Sequence, residues 1–130
     1  MSDAGEERMI TVYDAVGGDA YFVDLVDRFY DKVMADPVLI PLYRDDVAEA
    51  SRKTALFLIQ YWGGPSTYND ERGHPRLRMR HNPFVIGQAE RDAWLTHMMA
   101  SIDERPLQPE VRELFSRYFE HASTAMMNHP

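Results

Sequence analysis

The chain contains no cysteine among its 130 residues. That excludes a disulfide framework, a cysteine-ligated zinc site and an iron–sulfur cluster. No apolar run approaches the roughly 20 residues that a membrane-spanning helix requires, so no membrane insertion is expected. The stretch Met1 to Arg8 is polar and acidic and lacks the apolar segment of a secretion signal. The expected location is therefore the cytoplasm. Basic side chains are also scarce, 14 Lys and Arg against 21 Asp and Glu, for a net charge of −7. A chain of that sign is poorly suited to a phosphate backbone, and no nucleic-acid partner is expected. Internal repeats and low-complexity segments are missing as well. No stretch alternates convincingly, and Met9 to Tyr13 is too short to classify.

What is present reads as helix. The length suits one domain, placed at residues 10–130 behind a flexible extension at 1–9. Phe22, Leu25, Val26, Phe29, Tyr30 and Val33 recur three and four apart and predict a helix over about 20–35, with Asp19 as its cap. Asp36-Pro37 ends it, leaving Val38 to Tyr43 as a tight connector. A second helix is expected over about 47–62, with Val47, Ala50, Thr54, Phe57, Leu58 and Tyr61 on its inner face. Gly63-Gly64-Pro65 stops it, and a loop is expected from there to Pro75. A short helix over 76–81 follows before Asn82-Pro83. A third long helix is predicted over about 88–103, with Ile86, Ala93, Trp94, His97, Met98 and Ile102 facing inward. Pro109 opens a fourth, running to about 127, with Val111, Leu114, Phe115, Tyr118, Phe119, Ala122, Ala125 and Met126 as its stripe. The fold class is all-α.

The charge distribution is uneven. Residues 72–81 read Arg-Gly-His-Pro-Arg-Leu-Arg-Met-Arg-His, four arginines without an acid. In an acidic chain this concentrates positive potential where an anion would be held. The bland alternative is that Arg72, Arg76, Arg78 and Arg80 form a solvated face paired with nearby acids. Of the five histidines, His129 is terminal and expected in water, while His97 and His121 suit satisfied positions on helix faces. His74 precedes a proline and cannot share a regular helix with His81, so a two-histidine zinc site is not indicated. His81 ends the basic helix. One neutral imidazole flanked by arginines is what an iron porphyrin needs, a ligand for the metal and cations for two propionates. Tyr30, Tyr43 and Trp94 each carry a polar hydrogen that seeks a partner when buried. Taken singly each is a core aromatic. Converging on one pocket, they would hold a small polar ligand.

Several segments together resemble the group II truncated haemoglobins, especially the actinobacterial type-O globins. They are Tyr-Asp-Ala-Val-Gly-Gly (13–18), Arg-Phe-Tyr (28–30), Asp-Pro-Val-Leu (36–39), Gln-Tyr-Trp-Gly-Gly-Pro (60–65), the basic decapeptide 72–81 and Glu-Arg-Asp-Ala-Trp-Leu (90–95). The resemblance spans about 10–128. It implies a two-over-two helical sandwich around one haem b, with His81 as the proximal iron ligand and Tyr30, Tyr43 and Trp94 as the distal polar groups that stabilise a ligand. By the same resemblance Ala50 stands where many globins place a distal histidine, which would leave an open route to the iron. Thr54 stands where relatives often carry Leu or Gln. Lys53, Tyr68 and Arg80 match propionate anchors, and Phe57, Met79, Phe84 and Ile86 complete the cofactor-binding set with Thr54 and Trp94.

The implied function is reversible binding of O2, CO or NO at a pentacoordinate haem iron with slow release. It would support oxygen binding or transport, or redox chemistry as an NO dioxygenase or a peroxidase-like enzyme served by an unidentified reductase. A homo-oligomer is among the expected partners. The competing reading is a non-haem helical module whose Arg72–Arg80 cluster binds an acidic partner.

Overall fold

Two apolar stripes on consecutive long helices leave each helix with one face that must be covered, and the chain solves this by pairing them. A computed structural model describes residues 10–43, 47–73 and 86–128. Its elements in order are α1 (Val12–Val16), α2 (Asp19–Val33), a 3-10 turn (Ile40–Leu42), α3 (Val47–Tyr61), α4 (Thr67–Arg72), α5 (Gln88–Asp103) and α6 (Pro109–Ala125). Among the described residues there is no strand. Helix α2 packs on α3 and on α5, and α5 packs on α6, so one helix pair lies over another.

The core is the seam between them. Phe22, Leu25, Val26, Phe29 and Val33 of α2 are fully buried, against Met98 and Ile102 of α5 and Phe115 and Phe119 of α6. Burying each such side chain stabilises the fold by about 1.5–3 kcal/mol relative to exposure. Around the seam, Arg28 of α2 reaches the Ser101 carbonyl and the Glu104 carboxylate at the end of α5, and Lys32 joins Glu104 at 2.9 Å. Arg112 makes a two-pronged pair with Asp103 at 2.6 and 2.9 Å, fixing the turn between α5 and α6. Ile86 and Asn128 exchange two hydrogen bonds of 2.9 Å, one through each backbone N–H. They bring the end of α6 back to the start of α5.

Several expectations are corrected. Gly18, not Asp19, is the cap of α2; its φ of 77° suits glycine, and the Asp19 carboxylate instead accepts the Tyr13 hydroxyl at 2.7 Å. The segment around Tyr13 belongs to a helix, α1, opened by Thr11, whose Oγ1 accepts the Asp14 N–H at 3.0 Å. The stretch expected as loop contains α4, fastened to α3 by Arg52–Glu71 at 2.8 Å and by the Asn69 N–H on Gln60 Oε1 at 2.9 Å. The deeply buried residues of α3 are Ala55, Leu58 and Ile59, while Tyr61 is 52% exposed. In α6, Leu114 and Ala125 face solvent and Ser123 is buried. The expected helix over 76–81 lies outside the described residues.

Candidate functional site

Four elements deliver polar hydrogens to one place inside this apolar frame. Tyr30 is carried on α2 with only 6% of its surface exposed, because the stripe that buries Phe29 and Val33 also turns residue 30 inward. Its hydroxyl lies 3.0 Å from Thr54 Oγ1 of α3. Tyr43 follows the 3-10 turn, and its ring meets that of Tyr30 edge-on at 5.3 Å. Trp94 comes from α5, with Phe29 5.0 Å away between it and Tyr30.

These polar groups act on one another. An indole N–H can only donate, and Trp94 gives its hydrogen to the Tyr43 oxygen. Tyr43 also interacts with Tyr30, and either hydroxyl can donate to the other. Tyr30 shares the remaining bond with Thr54. Burial raises both phenols above their ordinary pKa; for Tyr43 the adjacent Tyr30 adds to the rise, and for Tyr30 the bonds from Thr54 and Tyr43 oppose it. Both therefore stay protonated at neutral pH and remain donors.

The connector that carries Tyr43 is braced from below. Asp36 accepts the Val38 N–H at 2.8 Å and pairs with His97 Nε2 of α5 at 2.7 Å. The His97 contact comes first among the causes that hold the Asp36 carboxyl below its ordinary pKa. His97 is thus the satisfied histidine that its helix face implied, and His121 is exposed.

Of the other residues singled out, Lys53, Thr54 and Phe57 share the half-buried side of α3 with Ala50, apart from the face made by Ala55, Leu58 and Ile59. Phe57 meets the buried Tyr68 of α4 edge-on at 5.5 Å. Ile86 is buried beside the start of α5. His74, Met79, Arg80, His81 and Phe84, together with Arg76 and Arg78, lie outside the described residues. Among the described residues no group of three or more metal-ligating side chains occurs. Sequence reasoning missed the Asp36–His97 brace and the place of Phe29 between Trp94 and Tyr30. The Asp-Pro at the end of α2 marks the turn but names no partner for its carboxylate.

This donor set fits a haem pocket. A porphyrin needs an apolar slot with a few directed polar groups. Here one side of α3 is sunk in the core, and the neighbouring side, through Thr54, borders a phenol and indole cluster against which Phe29 packs.

Comparison with known proteins agrees. Residues 11–128 match the family model of the bacterial-like globins. The group 2 truncated hemoglobin YjbI of Bacillus subtilis is 41% identical over 116 residues, which cover 89% of this chain and 87% of that protein. A thermostable hemoglobin from the actinobacterium Thermobifida fusca shares 51% identity at a TM-score of 0.90, covering 93% of this chain and 99% of that one. A truncated oxygen-avid haemoglobin from Bacillus subtilis has 40% identity and a TM-score of 0.86, with 92% and 100% covered.

Proposed function

Since the chain belongs to the bacterial-like globins, as a group II truncated haemoglobin, we propose that it holds one haem b through His81 and binds O2, CO or NO reversibly with slow release. Haem, when bound, supplies an iron that coordinates such a gas and exchanges electrons with it. The chain's own residues do the rest. The neutral His81 imidazole would give its lone pair to the metal. Arg80, Lys53 and Tyr68 would hold the two propionates, the arginine by a forked, charge-assisted bond. Phe57, Thr54, Met79, Phe84 and Ile86 would line the macrocycle and keep water from it.

One observation carries the reading: the convergence of Tyr30, Tyr43, Thr54 and Trp94, with the Tyr30 hydroxyl 3.0 Å from Thr54 Oγ1, the Tyr43 ring edge-on to Tyr30 at 5.3 Å, and Phe29 5.0 Å from both Tyr30 and Trp94. Such a cluster presents several polar hydrogens to a small ligand. A hydrogen bond to a group carrying charge contributes roughly 1.5–3 kcal/mol, which corresponds to about a ten- to hundredfold slower release. Ala50 leaves the approach free of a bulky side chain, while Trp94 favours diatomics and other very small ligands over larger ones. The oxygen-avid relative is in keeping with that retention. Slow release favours reaction of the held gas over delivery of oxygen, and the same donors would polarise a bound peroxide, with electrons arriving from a separate reductase.

An absorption spectrum of the reduced protein with and without CO tests this directly. A Soret band that shifts with CO is expected for the parent chain and its loss for His81→Ala. An unaltered Soret band in that variant removes His81 from the iron.

A further inference from the structure

The aromatic rings of the candidate site do not end there. Trp94 is followed by Phe119 at 5.9 Å between ring centres, Phe119 by Tyr118 at 5.0 Å, and Tyr118 by Tyr61 at 4.4 Å. Trp62 flanks the outer end, 5.0 Å from Tyr61 and 5.4 Å from Tyr118. Core packing accounts for Phe119, which is buried, but not for the last ring. Of the seven tyrosines, Tyr61 alone is exposed, at 52% of its surface. An unbroken file of rings thus joins a half-buried indole to a phenol in water.

We propose that this file is an electron relay and that Tyr61 is its outlet. When hydrogen peroxide oxidises the haem-loaded protein, electrons leave Tyr61 and pass through Tyr118 and Phe119 to Trp94. The inference rests on the haem reading above and adds to it a second, surface site at which one-electron reductants too large for the pocket, phenols or aromatic amines, restore the electron.

Proton chemistry places the outlet at Tyr61. A phenol or indole that loses an electron becomes a strong acid and holds the oxidation stably only after shedding its proton. The Trp62 N–H is buried without a hydrogen-bond partner among the described residues, so none of them is at hand to accept its proton. Burial, with Tyr61 adding to it, keeps the Tyr118 phenol protonated far above the ordinary range. Tyr61 gives its proton to water. The balance closes: hydrogen peroxide takes up two electrons and two protons to become two waters, and two Tyr61 hydroxyls each release one electron and one proton. Without an external reductant, the two resulting phenoxyl radicals, on two molecules, couple through a carbon–carbon bond to dityrosine.

The haem-loaded protein, its loading read from the Soret band, is treated with one equivalent of hydrogen peroxide and the products are mapped by peptide mass spectrometry. A covalent dimer joined at Tyr61 is expected, with at least tenfold less dimer from Tyr61→Phe. Tyr118→Phe leaves Tyr61 in water and keeps the ring stacking, yet removes the oxidisable phenol next to it. Several-fold less Tyr61 product is expected from that variant. Equal product from Tyr118→Phe means that the oxidant reaches Tyr61 through solvent, and a loaded protein that cross-links elsewhere or not at all has no outlet there. Either result overturns the relay and leaves the haem reading intact. A chain that never develops a Soret band overturns the haem reading, and the relay with it.

Discussion

Tyr43 interacts with both Trp94 and Tyr30, so it is the residue through which a change at one donor reaches the others. Trp94→Phe keeps the edge-on contact with Phe29 but removes the only hydrogen the indole can give. Tyr43 then loses the bond that fixes its oxygen, and any ligand loses a donor. The O2 dissociation rate of the haem-loaded variant, measured by stopped flow, should rise about ten- to hundredfold, the kinetic equivalent of one charge-assisted hydrogen bond. An unchanged rate would take Trp94 out of ligand retention and leave its ring as packing. Because the members of such a cluster share partners, the effects of Trp94→Phe and a change at Tyr43 should not add.

Among the helices, the pair Gly63-Gly64 sets how closely α1 approaches the end of α3. Tyr13 N–H bonds the Trp62 carbonyl at 2.9 Å, and a Cβ on Gly63 would stand 2.7 Å from Thr11 Cβ. The Gly63 φ of 107° also lies where side chains are strained. Thr11 opens α1, so the clash falls on that helix's first turn. Gly63→Ala should lower stability by about 1–3 kcal/mol in urea unfolding, the usual penalty for forcing atoms into a filled space. An effect under about 0.5 kcal/mol would mean that α1 shifts freely and is not part of the cooperative fold. The long elements were legible for a physical reason. The stripe of α2 runs along its 15 residues, enough for periodicity to name the buried side, and Phe22, Leu25, Val26, Phe29, Tyr30 and Val33 are all buried. Helices α1 and α4 have five and six residues, too few for a pattern, and contacts such as Arg52–Glu71 decide whether they form. Helix α3 misled in another way. It has two covered sides, Ala55, Leu58 and Ile59 in the core and Ala50, Thr54 and Phe57 beside the site, and a single-stripe reading merges them and draws Tyr61 inward. The site residues Tyr30, Tyr43 and Trp94 were recognisable by type and family likeness. Their mutual bonds, and the brace of Asp36 on His97, depend on long-range packing that no local spacing encodes.

Across the whole molecule, three carboxylates at joints between helices titrate below their ordinary values. Asp36 is lowered chiefly by His97, Asp103 by Arg112, and Glu104 by Lys32 and then Arg28. They lie, respectively, between the end of α2 and α5, across the α5–α6 turn, and between the end of α5 and α2. In the unfolded chain these groups return to about 3.9 for Asp and 4.3 for Glu. Between those values and the lower folded ones, the unfolded chain binds more protons, so stability rises with pH through that window. The three contributions are fully present above about pH 5 and disappear as pH falls through the folded pKa values. Urea midpoints should therefore stay level from about pH 7 to 5 as far as these groups are concerned and drop steeply below about pH 4. Replacing Asp36 with Asn and Glu104 with Gln together should flatten that acid limb while lowering the neutral plateau, since the ion pairs are lost at every pH. A double variant with an acid limb as steep as the parent's would show that the helix joints are not where protons unfold this globin.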